Sequence, residues 1–284
     1  MQIGIGIPNQ VRDVDPTIIG PWAARAEEAG FATLGTLGRV AYPGVADTVA
    51  LAVAAGATRR IGLLTNILLG VAWPAVLLAK EVAGIDGASG GRLTLGIGLG
   101  TRDDDFTVGG LPKKGLGRRL DADLETYRQV WSGGPVGGGP NPAVPAGTRQ
   151  VPMMFGGRAP ASFARMAVHG IGYVASSVPP PMVAQAFDAA RAAWRDAGRA
   201  GRPRLTATAY FALGDERAAR DNVYDYYRNT GDRIATMLAD NVALGADRIR
   251  RTVRMFEELG ADEVILNPGL ADPGEITRLA EVLL

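Results

Sequence analysis

The sequence predicts an α/β protein folded as a (β/α)8 TIM barrel, and three observations lead to that prediction. Strand-like runs alternate with helix-like segments eight times along the chain. The length of 284 residues is enough for one large barrel with a sizeable core. Most connections between the predicted elements are short, as the alternation of a parallel barrel requires. We therefore expect a single domain over residues 1–284.

The predicted strands are short apolar runs bounded by glycine, proline and polar residues. They cover residues 2–7, 31–37, 61–69, 93–99, 151–155, 171–176, 205–213 and 263–267. Two features depart from a plain barrel. A rim insertion follows strand four, at 101–150, and contains a polar loop, a helix and a Gly/Pro-rich stretch. Extra helices, at 216–239 and 245–259, separate strands seven and eight.

Helix ends are marked by residues that favour them. Asp15 and Pro16 are expected to begin the first helix, at about 16–29, and Gly30 to end it. Further helices are predicted at 45–57, 74–87, 117–132 and 159–169.

Composition excludes several kinds of chemistry. The chain has no cysteine and one histidine, His169, which excludes thiol nucleophiles and multi-histidine metal centres. A formal net charge of +1 without a basic tract argues against a nucleic-acid partner. We find no apolar run of about 18 residues that would span a bilayer, and no signal-peptide pattern at the N-terminus. We therefore expect a cytoplasmic protein with no metal and no membrane partner.

Ligands of a barrel bind where its strands end, so those positions are the candidate site. Strand four ends in Gly98 and Gly100, whose lack of a Cβ allows a planar ligand or another backbone to come close. The polar pair Thr65 and Asn66 interrupts strand three and must form hydrogen bonds in an apolar setting. Tight strand packing and pairing inside the barrel are the alternative interpretations.

The end of strand five has the features of a phosphate site. Gly156, Gly157 and Arg158 come directly before a predicted helix, whose first amides are free to bind an anion. Ser176 and Ser177 follow strand six, which is expected to be the neighbouring strand. An ordinary strand–helix turn would also explain the glycines.

Together, these pieces resemble the bacterial-luciferase-like superfamily of flavin- and deazaflavin-dependent oxidoreductases, also called the luciferase-like monooxygenase family. The resemblance covers nearly the whole chain, and its most specific part is the segment 85–92 before strand four. The other segments that carry it are 3–7, 26–31, 57–65, 74–80, 93–98 and 156–157.

The resemblance implies a cofactor, either the deazaflavin coenzyme F-420 or FMN. Asn66 and Ile67 match a position where members often have a non-proline cis peptide behind the ring, and Gly98 lies at the adjoining strand end. The resemblance assigns the cofactor phosphate to Gly156, Gly157, Arg158, Ser176 and Ser177.

The expected catalytic residues lie at two other strand ends. Thr101 and Asp104 match polar positions beside the reactive edge of the ring. Many members carry an Asp-His pair after strand two, but this chain has Gly38 and Arg39 there. We expect Arg39 to bind an anionic substrate or the cofactor tail, and Tyr42 to donate a proton. Thr101 stands where sugar-phosphate-oxidising relatives have a glutamate, which disfavours that activity.

The resemblance implies an oxidoreductase that acts on a small organic substrate. Deazaflavin would support hydride transfer, whereas FMN reduced by a separate reductase would support monooxygenation with oxygen. The Arg, Ala and Gly bias hints at a GC-rich genome, where deazaflavins are frequent. Two alternatives remain: a non-catalytic family member that binds flavin, and a phosphate-binding barrel without flavin. Barrels of this family are often dimers, so the resemblance also makes a homodimer one option.

Overall fold

Eight parallel strands close into a barrel in the computed structural model, which describes residues 1–112 and 114–284. The barrel strands are β1 (Gln2–Gly6), β2 (Thr33–Thr36), β3 (Gly62–Thr65), β5 (Leu93–Gly98), β6 (Met153–Phe155), β7 (Gly172–Val174), β8 (Arg204–Ala212) and β10 (Glu263–Pro268). Two short strands, β4 (Leu68–Leu69) and β9 (Ala243–Leu244), extend the sheet beside β5 and β8. The barrel closes because β10 pairs with both β1 and β8. The predicted fold is confirmed.

Helices surround the barrel and separate its strands in sequence. They are α1 (Ile19–Ala29), α2 (Asp47–Ala57), α3 (Ala75–Ser89), α4 (Asp103–Val108), α5 (Leu116–Trp131), α6 (Pro160–His169), α7 (Pro180–Asp196), α8 (Glu216–Tyr227), α9 (Asp232–Asp240), α10 (Gly245–Glu258) and α11 (Gly274–Leu283). The predicted ends of the first helix are confirmed. A 3-10 turn precedes α1, where the Asp15 side chain accepts the Thr17 N–H at 2.9 Å, and Gly30 ends α1 with a left-handed φ of 96°.

Three local predictions were wrong. Predicted strand three is two strands, because the chain turns at a cis peptide between Asn66 and Ile67. The polar loop after strand four contains the helix α4, whose first turn carries three aspartates that suit the positive end of a helix. The helix predicted at 216–239 is broken into α8 and α9 at Gly231, whose φ of 98° is incompatible with a helix.

The middle of the barrel is filled by apolar side chains. Leu64, Met154, Val174 and Ile265 are buried there in one cluster, and Ile67 packs against them from above. This layer separates the two ends of the barrel. Polar side chains that point inward beyond it, toward the carboxyl ends of the strands, can therefore serve a ligand without opening the core.

The described part of the chain contains no helix that is both long and apolar enough to cross a membrane. Within the same residues, no cluster of histidine and carboxylate side chains has the arrangement of a metal site. The cytoplasmic location stays a prediction.

Candidate active site

Buried polar side chains gather at the carboxyl ends of β1, β2, β3 and β10. Gln10, Thr36, Asn66 and Asn267 are each at most 5% exposed. The Asn66 side-chain amide donates to Oδ1 of Asn267 at 3.3 Å, and the Gln10 amide donates to the carbonyl of Pro268 at 2.8 Å. These contacts connect the carboxyl ends of β1, β3 and β10 in one buried polar cluster. The end of the barrel that the sequence pointed to is therefore built for polar ligands.

Several buried polar atoms at this end have no hydrogen-bond partner among the described residues. They are Oε1 of Gln10, Oγ1 of Thr36, Oδ1 of Asp47, Nε of Arg102 and Nδ2 of Asn267. Protein interiors pair nearly all such atoms, because an unpaired one costs about 1–3 kcal/mol. Four further such atoms among the described residues lie elsewhere, on Asp123, Tyr127, His169 and Glu263, so five of the nine are at this end. Water or a bound molecule at the carboxyl end could supply partners to all five.

Asp47 is a buried carboxylic acid that the sequence interpretation missed. It begins α2 and is 7% exposed. Burial raises its pKa to about 7, although the nearby Thr36 hydroxyl, which lies outside hydrogen-bond geometry, opposes the rise. Its only sequence signal is an acid at the first position of an otherwise apolar helix. The site therefore contains a carboxyl group that exchanges its proton near neutral pH.

The position of Asp47 depends on Gly38. A Cβ at residue 38 would lie 1.9 Å from Oδ2 of Asp47 and 2.9 Å from its carboxyl carbon. No larger residue fits at 38 unless the carboxyl group moves. The carboxyl group of Asp47 therefore occupies the space that a side chain at residue 38 would fill.

Arg39 lies in the same region, with its side chain only 2% exposed. Its Nε donates to Asp105 at 3.2 Å, its Nη1 donates to the carbonyl of Tyr226 at 3.2 Å, and its Nη2 bonds to Asp104. The other oxygen of Asp105 accepts the backbone N–H groups of residues 40 and 41, at 2.9 and 2.8 Å. Arg39 and Asp105 thus fasten the loop after β2 to α4 and α8. The anion-binding role predicted for Arg39 stays a prediction.

The other predicted catalytic residues are spread around this loop. The Tyr42 hydroxyl donates to Asp225 at 2.9 Å, and burial and that bond raise the pKa of Tyr42. Burial also acts to raise the pKa of Asp104, but hydrogen bonds from Asn229 and Arg39 outweigh it and hold the pKa below its ordinary value. Thr101 is exposed. Their catalytic roles are untested predictions.

A group of tyrosines that the sequence interpretation missed surrounds Arg102. The guanidinium carbon of Arg102 lies 4.7 Å from the ring centres of both Tyr226 and Tyr227. The Tyr210 hydroxyl donates to that of Tyr227 at 3.2 Å, and their rings are nearly perpendicular. Burial raises the pKa of Tyr210 and Tyr226, so these phenols stay neutral. The tyrosines lie on β8 and α8, far from Arg102 in the sequence, and no local motif predicts that they contact it.

The predicted cis peptide at Asn66-Ile67 is present. The Ile67 side chain fills the space beside two glycines: its Cδ1 lies 2.2 Å from a Cβ built at Gly98 and 2.7 Å from one built at Gly156. These glycines therefore make room for Ile67, which is one of the interpretations the sequence left open. Whether the same residues contact a cofactor stays a prediction.

The turn after β6 is where the sequence predicts an anion site, and that role stays a prediction. Gly157 has a φ of 112°, and α6 begins at Pro160, which has no N–H, without a side-chain cap. Arg158 and Ser176 are exposed at the ends of β6 and β7, which are neighbouring strands. The structure thus brings these predicted phosphate ligands to adjacent strand ends.

Ser177 differs from the other members of the predicted phosphate site. It is 5% exposed, and its hydroxyl lies 2.9 Å from that of Thr208. Its hydroxyl therefore already has a partner on β8, while the exposed Ser176 remains directed to the surface.

Comparison with known proteins agrees with this architecture. The family model of luciferase-like monooxygenases matches residues 1–255. An uncharacterized protein of Mycobacterium tuberculosis is 34% identical over 84 residues, which is 30% of this chain and 30% of that relative's length.

Solved structures with the same fold cover almost the whole chain at low identity. The monooxygenase RslO1 from Streptomyces bottropensis is 22% identical, with coverage of 100% of this chain and 98% of that chain and a TM-score of 0.78. An F-420-dependent secondary alcohol dehydrogenase, solved with an F-420–acetone adduct, is 15% identical, with coverage of 99% and 98% and a TM-score of 0.82. The oxygenating constituent of 3,6-diketocamphane monooxygenase from Pseudomonas putida, solved with FMN, is 14% identical, with coverage of 99% and 95% and a TM-score of 0.77. The family match, together with this shared fold, leads to one conclusion: the chain belongs to the luciferase-like monooxygenase family of enzymes.

Proposed function

We propose that the chain is a flavin- or deazaflavin-dependent oxidoreductase of small organic molecules, with its active site at the carboxyl end of the barrel. The observation that carries the proposal is the set of unpaired polar atoms there, which includes a donor on Asn267, an acceptor on Gln10 and a donor on Arg102. The ring system of either cofactor has carbonyl oxygens and N–H groups at one edge. Those carbonyl and N–H groups would be suitable hydrogen-bond partners for the unpaired donors and acceptors.

The residues present also fit the rest of such a cofactor. The backbone N–H groups of Gly157 and Arg158 and the exposed Arg158 side chain offer donors and a cation to a phosphate, whereas the Gly156 N–H already donates to the Ile97 carbonyl. Ser176 lies at the adjacent strand end and adds a hydroxyl. In this proposal the Asn66-Ile67 turn and Gly98 form the wall against which the ring is held.

The cofactor, when bound, supplies either hydride transfer or oxygen chemistry. The protein orients the reactants, keeps water out of the site and supplies groups that bind or release a proton. Asp47 holds a proton on its carboxyl group near neutral pH, which is the task that a histidine performs in relatives with the Asp-His pair. The ion pairs of Arg39 with Asp104 and Asp105 hold the loop after β2 over the site and exclude water. The buried phenols of Tyr210 and Tyr226 add polar but uncharged walls.

Two versions of the reaction are included in the proposal. One solved neighbour with this fold is F-420-dependent and another was solved with FMN, so the shared fold accommodates either ring. The deazaflavin version needs only a substrate that gains or loses a hydride. The FMN version needs oxygen and a separate reductase as a partner.

The deciding experiment is a titration of cofactor-free protein with FMN and, separately, with F-420, following the fluorescence of each cofactor and measuring stoichiometry by calorimetry. We expect one-to-one binding of one of them, weakened at least about tenfold by Asn267→Ala, because the variant removes a buried donor. Asn141→Ala, at an exposed amide, is the matched control and should bind normally. Binding of neither cofactor to the wild type would contradict the proposal and favour a phosphate-binding barrel without flavin. Binding without any substrate oxidation would indicate a non-catalytic member.

A further inference from the structure

Arg102 occupies an unusual place for a cation. It lies four residues after the end of β5 and directly before α4, at the carboxyl end of the barrel. The residue is half-buried, and its Nε is buried without a partner. Among the residues that the structure describes, no carboxylate forms an ion pair with it. Cations in such positions are normally paired, because removing an unpaired charge from water is costly.

Aromatic rings, rather than acids, hold this guanidinium group. It lies over the rings of Tyr226 and Tyr227, with 4.7 Å to each ring centre. Those two rings are 5.0 Å apart at an angle of 78° and so form a corner around the cation. Contacts with ring faces stabilise a guanidinium group but do not use its N–H donors. The donors of Arg102 therefore remain available to an acceptor that is not part of the protein.

Arg39 provides the contrast. Both arginines lie at the same mouth, but the Arg39 guanidinium bonds to two carboxylates and a backbone carbonyl. The carboxylate of Asp105, the acid that also attracts Arg102 electrostatically, is bonded to Arg39 on one oxygen and to two backbone amides on the other. Three of the hydrogen-bond positions of Asp105 are thus occupied by groups other than Arg102. Of these two cations, Arg39 already donates to three acceptors of the protein, whereas Arg102 forms no hydrogen bond through its side chain among the described residues.

We propose that Arg102 is the residue that binds an oxyanion of the bound molecule, so that the site selects a ligand bearing a carboxylate or phosphate. The planar guanidinium fork suits either group, because two parallel N–H donors match two oxygens. The assignment rests on the proposed function for the location of the active site. The oxyanion belongs to the substrate or to the cofactor, and the chemistry of recognition is the same in both cases.

The test uses benzoate as an anionic probe, benzamide as its neutral counterpart, and the two cofactors. Each is titrated by calorimetry into wild type, Arg102→Gln and Arg102→Lys, and benzoate also into cofactor-saturated protein. Arg217→Gln is the matched control, since Arg217 lies on α8 with its side chain 92% exposed. Thermal unfolding of each variant shows that it is folded.

We expect Arg102→Gln to lower the affinity for at least one of the oxyanion ligands by about tenfold or more. Arg217→Gln should bind every ligand with wild-type affinity, and the affinity for benzamide should be the same in all variants. Arg102→Lys should recover part of the loss, because it keeps the charge but not the fork. Loss of benzoate binding alone assigns the oxyanion to the substrate; loss of cofactor binding alone assigns it to the cofactor.

Equal affinity of wild type and Arg102→Gln for benzoate and for both cofactors would overturn the inference. The inference would also be overturned if the wild type bound benzoate no more tightly than benzamide and if Arg102→Gln left its affinity for both cofactors unchanged. A wild type that binds neither cofactor refutes the proposed function instead, and in that case the comparison of benzoate with benzamide on cofactor-free protein still decides the role of Arg102.

Discussion

Replacement of Asp47 by asparagine should raise the stability of the variant relative to wild type as the pH increases from 5 to 8. Burial raises the pKa of Asp47 from 3.8 to about 7 in the folded protein. In the unfolded chain the same carboxyl group ionises near 3.9. Between these two values the folded state binds one proton more than the unfolded state, so the free energy of unfolding falls as the pH rises. The loss is complete above about pH 7.

The size of the effect follows from the shift. One pKa unit corresponds to about 1.4 kcal/mol, so the ionised Asp47 lowers the free energy of unfolding by about 4 kcal/mol at pH 8. Asparagine stays neutral but leaves a buried amide that costs about 1–3 kcal/mol at every pH. That cost cancels when two pH values are compared. We therefore expect the variant to gain about 3 kcal/mol relative to wild type between pH 5 and pH 8.

The measurement is urea unfolding of wild type and Asp47→Asn across that pH range. Asp188→Asn is the matched control for loss of one negative charge, because the Asp188 side chain is 78% exposed. Tyr226, the titratable group that faces Asp47, does not interfere, since burial raises its pKa above this range. A difference between Asp47→Asn and wild type that does not change with pH would refute the assignment of a protonated carboxyl group to this position.

Three further predictions concern the same region. Gly38→Ala should displace the Asp47 carboxyl group, because its Cβ would lie 1.9 Å from Oδ2 of Asp47, and should therefore reduce the loss of stability that Asp47 causes between pH 5 and pH 8 in urea unfolding; an unchanged pH dependence would contradict this contact. Arg39→Gln should cost about 3 kcal/mol or more in the same assay, since it leaves its buried carboxylate partner unpaired; a cost under about 1 kcal/mol would contradict a structural role. Gly157→Ala should weaken cofactor binding in the titration because of its φ of 112°, whereas Gly198→Ala, at a φ of 67° with open space around it, should not.

The order of the barrel strands was predictable because it depends on local patterns. Most strands of the barrel are short apolar runs, and each is separated from the next by at least one helical segment, so β/α alternation determines the fold. Breaks within elements were less visible. The two-residue strand β9 is too short to leave a pattern, and the aspartates of α4 look like a polar loop until their place at a helix start is known.

The candidate site was only partly predictable, because partners of charged groups are set by tertiary contacts. Arg39 and Arg102 both follow barrel strands, and nothing in their neighbouring residues shows which of them meets acids and which meets tyrosines. Tyr226 lies more than a hundred positions from either arginine in the sequence. The strand ends that carry glycines, by contrast, were predictable, since Gly98 and Gly156 mark close contact whether its partner is a ligand or Ile67.

The contact between Gly38 and Asp47 bears on the absence of a histidine after β2, where many family members have one. The family resemblance aligns Gly38 and Arg39 with the Asp-His pair of many members, which suggests that acid–base catalysis by an imidazole is lost. In the folded chain that glycine is what admits the Asp47 carboxyl group, and burial brings its pKa to about 7, close to that of an imidazole. We therefore propose that Asp47, at the start of α2, is the group that exchanges protons at this end of the barrel. On this reasoning, activity should depend on Asp47 and should be lost in Gly38→Ala even if the cofactor still binds, because the same side chain at residue 38 would displace the acid without touching the phosphate turn.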